Sequence, residues 1–352
     1  MDIAALVNVR ARRGSEAVAQ TLHHELPGAR VCVSRSLEDA AEFAREIAED
    51  PPELLLSAGG DGTAIALLNA MRALRSRESS RPAGSAPPSA DEIADARRFA
   101  PALGVLPLGT GNGWAHVTGA HAWRRSLREL GSARRSGRPL KFRRFDLVET
   151  CGMLGHFAGT GWDAELIDDF HAQKEGLGVL PASMRKGLAG YLNGLVTRMV
   201  PRHLMRPRVE VEIENLGEDA MTIDAMGRPA KLRGGEHGKI LYRGPTSVCA
   251  AGTSEEWGFG FRAFPFAGAV RGRICLRNYG KPAATALLAS RRLWRGEHPL
   301  EGMSTWMVTR VRATFSRPVP FQIGGDRIGH RDVVEYGVAP LEVDLLDWST
   351  LS

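Results

Sequence analysis

Two short stretches of this chain set glycines, a hydroxyl and an acid or amide side chain at the end of an apolar run. In Leu54-Leu-Leu-Ser-Ala-Gly-Gly-Asp-Gly-Thr63, Gly59, Gly60 and Gly62 surround Asp61, and Thr63 closes the motif. In Leu103-Gly-Val-Leu-Pro-Leu-Gly-Thr-Gly-Asn112 the run ends in Gly109, Thr110, Gly111 and Asn112. Glycine lets backbone N–H groups approach an oxygen without side-chain obstruction. An apolar run of strand length, a glycine turn and a helix start together leave free N–H groups where an anion is favoured. The chemistry that suits is the cradling of a phosphate. Asp61 then has two readings: a base or metal-linked carboxylate for phosphoryl transfer, or a cap on the helix that starts near Thr63.

Neither stretch is a standard nucleotide fingerprint. The glycines of the first are too close together for G-x-G-x-x-G, and no Gly-Lys-Ser/Thr follows to make a P-loop. Their repetition carries more weight, because loops at the carboxyl ends of parallel strands face one crevice in open α/β sheets. Ser34 and Arg35 end another strand-like run and are candidates for the same crevice, as are the hydrogen-bonding groups of Thr63, Thr110 and Asn112.

The elements that must position these loops can be read around them. Ile3–Val9 and Arg30–Ser34 have strand character, with a helix from near Ser15 between them. Ser36-Leu-Glu-Asp39 fits a capping box and opens a helix that Pro51-Pro52 stops. The apolar spacing of Ala64–Arg75 predicts a helix after the first motif, and another is expected from Trp114 after the second. Alternating strand and helix argues for a parallel sheet with helices on both faces. Between the motifs, residues 76–90 are rich in Ser, Pro, Arg and Ala and read as a mobile surface insertion, followed by a short helix over Asp91–Phe99.

Beyond residue 145 the pattern changes to many short strand-like runs, among them His156–Thr160, Arg208–Ile213, Met307–Phe315 and Leu341–Leu346, broken by one helical interlude over Ala164–Val200. The expected organisation is an α/β nucleotide-binding domain over 1–144, an antiparallel β-sandwich-like domain over 145–340, and a tail, 341–352, returning to the first domain.

With 352 residues and 43% hydrophobic composition the chain can bury substantial cores. It contains no apolar run long enough to span a bilayer and starts without a signal-peptide pattern, so a cytoplasmic location is expected. Cys32, Cys151, Cys249 and Cys275 lie far apart with no C-x-x-C pair and read as small apolar fillers. The net charge of +6 invites a polyanion partner. Much of it lies in Arg124, Arg125, Arg128, Arg134, Arg135, Arg138, Lys141, Arg143 and Arg144. That segment reads either as a solvated face or as a patch for peripheral association with an anionic membrane surface. Aromatic interleaving is sparse, which ranks nucleic acid below membrane as a partner.

Taken together, Gly59-Gly-Asp-Gly-Thr63 and Pro107-Leu-Gly-Thr-Gly-Asn112 resemble the paired motifs of the diacylglycerol kinase catalytic domain, in the superfamily that includes sphingosine and ceramide kinases. Weaker matches are Asn8 to Gly14, Phe157-Ala-Gly-Thr-Gly-Trp-Asp-Ala164, Phe264-Pro-Phe-Ala267 and Gly324-Gly-Asp326. The resemblance implies an NAD-kinase-like α/β nucleotide domain, ATP and Mg²⁺, and a lipid acceptor such as a diacylglycerol, a sphingoid base or a related alcohol. By the same resemblance Asp61 is catalytic and Asp163 binds substrate. Asn8, Ser34, Arg35, Gly59 to Thr63, Gly109 to Asn112 and Asp326 serve the nucleotide, with Asp326 also a metal ligand, alone or with Asp332 or Glu335.

This chain departs from the family pattern at three places. Gly113 stands where many bacterial members have Asp, Arg271 precedes Gly272 where an acid is usual, and the C-terminal Asp-Gly-Glu appears as Gly324-Gly325-Asp326. A catalytically weakened nucleotide-binding protein and an NAD-kinase-like enzyme are the alternatives, and the oligomeric state, homodimer included, is left open.

Overall fold

The computed structural model describes residues 1–78, 98–162, 164–165, 167 and 208–351. Asp163, most of the 76–90 insertion and nearly all of the 164–200 interlude lie outside them. The chain divides into two compact units, Met1–Phe145 with Pro340–Ser352, and Asp146–Ala339.

The first unit is α/β. Strands β1 (Ile3–Asn8), β2 (Arg30–Ser34), β3 (Leu54–Ala58) and β4 (Arg98–Val105) are all parallel to their neighbours. The sheet order is β4-β3-β1-β2, and the end of the last strand, Asp326–Leu346, joins parallel to β4 with Glu342 opposite Arg98. β3 is buried along its whole length, as a central strand covered on both faces must be.

Alternate residues of β1 serve different layers. Ile3, Ala5 and Val7 pack with Val18 and Leu22 of α1 (Glu16–Glu25), with Leu127 and Leu130 of the helix Trp123–Arg135, and with Trp348. Ala4 and Leu6, equally buried, turn to the other face, where α2 (Leu37–Glu49) packs. Trp348 is fully buried, and an aromatic residue of that size contributes about 3 kcal/mol by leaving water. The expected capping box is complete: Ser36 Oγ accepts from Asp39 N, and the Asp39 carboxylate accepts from Ser36 N.

Local boundaries differ from expectation in three places. The helix after the first motif, α3, begins at Asp61 and runs to Glu78, through the glycine that was expected to precede it. Phe99 is in strand β4, not in a helix, because its buried side chain belongs to the sheet. Met303–Val308 and Arg310–Ile323 are separate strands, broken at Thr309, where one continuous run was expected.

The second unit is strand-rich and antiparallel. Its main path is 229–231, 221–223, 303–308, 274–279, 248–252, 157–161, 310–323, then the first part of the last strand. Strand alternation sends Cys249, Ala251, Ile274 and Leu276 into one core and Val248, Ala250, Cys275 and Tyr279 into another. The second core is aromatic, with Trp257 ring-packed on Phe157, Phe261 and Phe264. Two short helices the sequence pattern did not reveal, Ala283–Leu288 and Ser290–Trp294, contribute Ala286 and Leu293 to it. Cys249 and Cys275 are apolar fillers, whereas Cys151 is exposed at φ 51° in the turn before Met153.

Candidate functional site

Both glycine motifs lie at carboxyl ends of adjacent parallel strands of the first unit. The first links β3 to α3, and the second follows β4 and leads into the short helix Gly113–Val117. They meet backbone to backbone. A Cβ placed on Gly60 would stand 2.7 Å from the Cα of Gly109, and Gly60 itself has φ 88°, a conformation that favours glycine. A Cβ on Gly109 would in turn stand 3.1 Å from the carbonyl oxygen of Gly59. Gly60 is glycine because the second loop needs that space, whereas a Cβ on Gly59 would meet Thr63 and Asn8.

Side chains hold each loop in shape. Asn112 closes the second turn twice: Gly109 N donates to its Oδ1 at 2.9 Å, and its Nδ2 donates to Gly109 O at 3.1 Å. Asn112 sits at φ 58°, a left-handed position that asparagine tolerates. At the end of β1, Asn8 Nδ2 donates to Thr63 Oγ1 at 3.0 Å, tying a third strand end to the first motif. The loop after β1 is pinned to the second motif by Arg13 N, which donates to Leu108 O at 3.0 Å.

Asp61 is the joint of this assembly. Its carboxylate accepts from Gly113 N at 2.5 Å and from Trp114 N at 3.1 Å, so it caps the short helix of the other motif. Only 7% of the residue is exposed. Burial raises its pKa from 3.8 to about 6, against the opposing pull of the Gly113 and Trp114 N–H groups and of His116. The capping reading of Asp61 is therefore realised, on a different helix from the expected one.

With Asp61 and Asn112 engaged internally, the cradle consists of backbone. Among the described residues nothing accepts from the N–H groups of Gly60, Gly62, Thr110 or Gly111. Gly62 lies in the first turn of α3, whose dipole adds positive potential there. Unsatisfied N–H groups on two touching loops, one at the start of an 18-residue helix, fit a phosphate group.

The other candidates are distributed differently. Ser34 Oγ donates to Ser36 O at 2.8 Å, and the Arg35 guanidinium pairs with Glu16 at the start of α1, so both side chains are committed beside α1 and α2. In the second unit, Gly324 and Gly325 form the turn of a tight hairpin at φ 59° and 92°, and the exposed Asp326 follows it. The turn geometry accounts for two glycines at this place. Glu335 is held low by Arg310 and Arg312, which both donate to it. No group of three or more His, Cys, Asp or Glu stands together among the described residues. They therefore form no Mg²⁺ cage of their own. Arg10, Arg12 and Arg13, inside the Asn8 to Gly14 match, are exposed on the loop pinned to Leu108, and their own sequence signal is a basic run directly after a strand.

Residues 5–138, which span both glycine loops, match the family model described as the diacylglycerol kinase catalytic domain. That segment, 134 of the chain's 352 residues, is similar to this family. Two solved structures from Bacillus anthracis str. Sterne align over 97% of this chain and 96% of theirs. One, described as a diacylglycerol kinase, is 13% identical with a TM-score of 0.57. The other, given the same assignment provisionally, is 15% identical with a TM-score of 0.61. At such identities the likeness is one of fold. No curated protein matches the chain. Among the described residues, no helix is long and apolar enough to cross a membrane.

Proposed function

We propose that the protein is a lipid kinase that transfers the γ-phosphoryl group of ATP to a lipid hydroxyl. The observation that carries this is the contact between the Gly59–Thr63 and Gly109–Asn112 loops, in which the N–H groups of Gly60, Gly62, Thr110 and Gly111 have no acceptor among the described residues. The family match of residues 5–138 supports the phosphotransferase class. In the reaction a bond forms from the acceptor oxygen to the γ-phosphorus and the bond to the β,γ-bridging oxygen breaks. ADP leaves, and the hydroxyl proton passes to a base or to water.

In this reading the N–H groups of Gly60, Gly62, Thr110 and Gly111 hold phosphate, and Arg10, Arg12 and Arg13 add positive charge beside them. Asp61 acts by holding the two loops in register. The acceptor is a diacylglycerol, a sphingoid or a related lipid, and Asp163 and Asp326 remain candidates for substrate and for nucleotide-bound Mg²⁺. Magnesium is commonly held by substrate phosphates with one or two carboxylates, so it need not have a protein cage.

Radiolabelled ATP with a panel of a diacylglycerol, sphingosine, ceramide and a glycolipid alcohol tests this, and one lipid should acquire label. A second reading, a nucleotide-binding protein with little transferase activity, is favoured by the engagement of both Asp61 oxygens with backbone. Tight ATP binding with no label in any lipid would establish it.

A further inference from the structure

We infer that the helix Trp123–Arg135, with Lys141, Phe142 and Arg143 at the start of the strand Phe142–Thr150, is a docking surface for anionic lipid headgroups. Residues 119–144 carry nine cationic side chains and a single carboxylate, Glu129. That is a net +8 against +6 for the whole chain, so the rest of the molecule is net negative; Arg144 is paired with Asp344 and Glu342, and the surplus rests on the other cations of the segment.

The fold fixes how this charge is presented. The helix buries Trp123, Leu127 and Leu130 against the first unit's core, which leaves the opposite side to solvent. Arg124, Arg128 and Arg135 are exposed and recur at intervals that place them along one face, a row about 16 Å long. Of the helix arginines, Arg125 alone pairs with the segment's carboxylate, Glu129. Arg128 and Arg135 donate to the backbone carbonyls of Arg124 and Glu25, and Arg124 lies over the Trp123 ring, so these three charges are positioned without being neutralised.

The strand start supplies what charge alone does not. Phe142 is 41% exposed between exposed Lys141 and Arg143. Such an aromatic is unfavourable in water, and an apolar tip flanked by cations matches the boundary between headgroups and acyl chains. The choice among partners follows. A second copy of this face would meet it with like charge. Nucleic acid calls for stacking aromatics along the basic row, and the row has none exposed.

Sedimentation of the full chain with vesicles tests the proposal without ATP, so its outcome is separate from that of the kinase assay. Vesicles of phosphatidylcholine with phosphatidylglycerol should capture the protein, and pure phosphatidylcholine vesicles should not. Capture should weaken steeply between about 0.05 and 0.5 M salt as the charges are screened. The triple variant Arg124→Gln, Arg128→Gln, Arg135→Gln should bind about 100-fold more weakly, at roughly fivefold per cation. The matching triple lysine variant should bind like the native chain, which separates charge from fold. Phe142→Ala should weaken the binding that survives at high salt. Equal capture by neutral vesicles, or native binding by a cooperatively folded triple glutamine variant, overturns the inference. So does full release from the vesicles by a stoichiometric amount of duplex RNA.

Discussion

Asp61 in the first unit and Arg277 in the second are buried charges of opposite sign, and neither sits in an ion pair among the described residues. Their surroundings differ. Both oxygens of Asp61 accept from N–H groups at the start of a helix, a compensation supplied by backbone dipoles. Arg277, 4% exposed, donates Nη1 to Ala263 O at 2.6 Å and Nε to Thr305 Oγ1 at 3.3 Å, while its Nη2 has no hydrogen-bond partner among the described residues. Burial accordingly pulls its pKa down. The molecule thus uses a buried charge in two ways. Asp61 joins two loops that must touch, and Arg277 braces the segment that enters Phe264-Pro-Phe-Ala267.

The difference can be tested by removing each charge. Asp61→Ala strands the buried N–H groups of Gly113 and Trp114, and at about 1–3 kcal/mol for each unsatisfied group it should cost about 3 to 4 kcal/mol. Urea unfolding would show that loss, and calorimetry should show ATP binding lost with it. Unchanged affinity would remove Asp61 from the site altogether.

Asp61 should also write a pH dependence that Arg277 cannot. Its folded pKa, about 6, lies above its unfolded value near 3.8, so the folded state holds more protons in this window. The pH-dependent part of its contribution is therefore complete below about pH 4 and lost as pH rises through about 6, a change of about 3 kcal/mol. Subtracting the urea-unfolding curve of Asp61→Asn across pH 4–7 isolates this contribution, and a flat difference would contradict the assigned burial.

A smaller effect is expected at the loop contact itself. Gly60→Ala places a Cβ 2.7 Å from the Cα of Gly109 at φ 88° and should cost about 2 kcal/mol while weakening ATP binding more than it lowers Tm. The smallest change is predicted for Arg277→Met. An apolar side chain of similar length removes an uncompensated buried charge, and thermal unfolding should report a change within about 1 kcal/mol, of either sign. A loss as large as that of Asp61→Ala would mean that the two buried charges are equivalent after all.

Much of the first unit was legible before any coordinates. β1, β2 and β3 carry strand-length apolar runs, Ser36 and Asp39 announce their helix, and the glycine motifs fall at strand ends as their spacing implies. The second unit was legible as antiparallel and strand-rich, but not in its details. Thr309 breaks a run with no composition signal, and the helices at 283–294 are too short for their period to stand out.

The sequence by itself determined that two strand–glycine–helix units exist and that phosphate chemistry suits them, because strand, turn and helix start are written in residues close along the chain. Only the tertiary structure decided that the two loops touch, and that Asp61 caps a helix beginning 52 residues further on. It also set the Ser34 hydroxyl on the Ser36 carbonyl and the Arg35 guanidinium beside Glu16. The physical reason is range: spacing encodes which groups a segment exposes, whereas the partner that satisfies a buried carboxylate is chosen by the packing of the whole sheet.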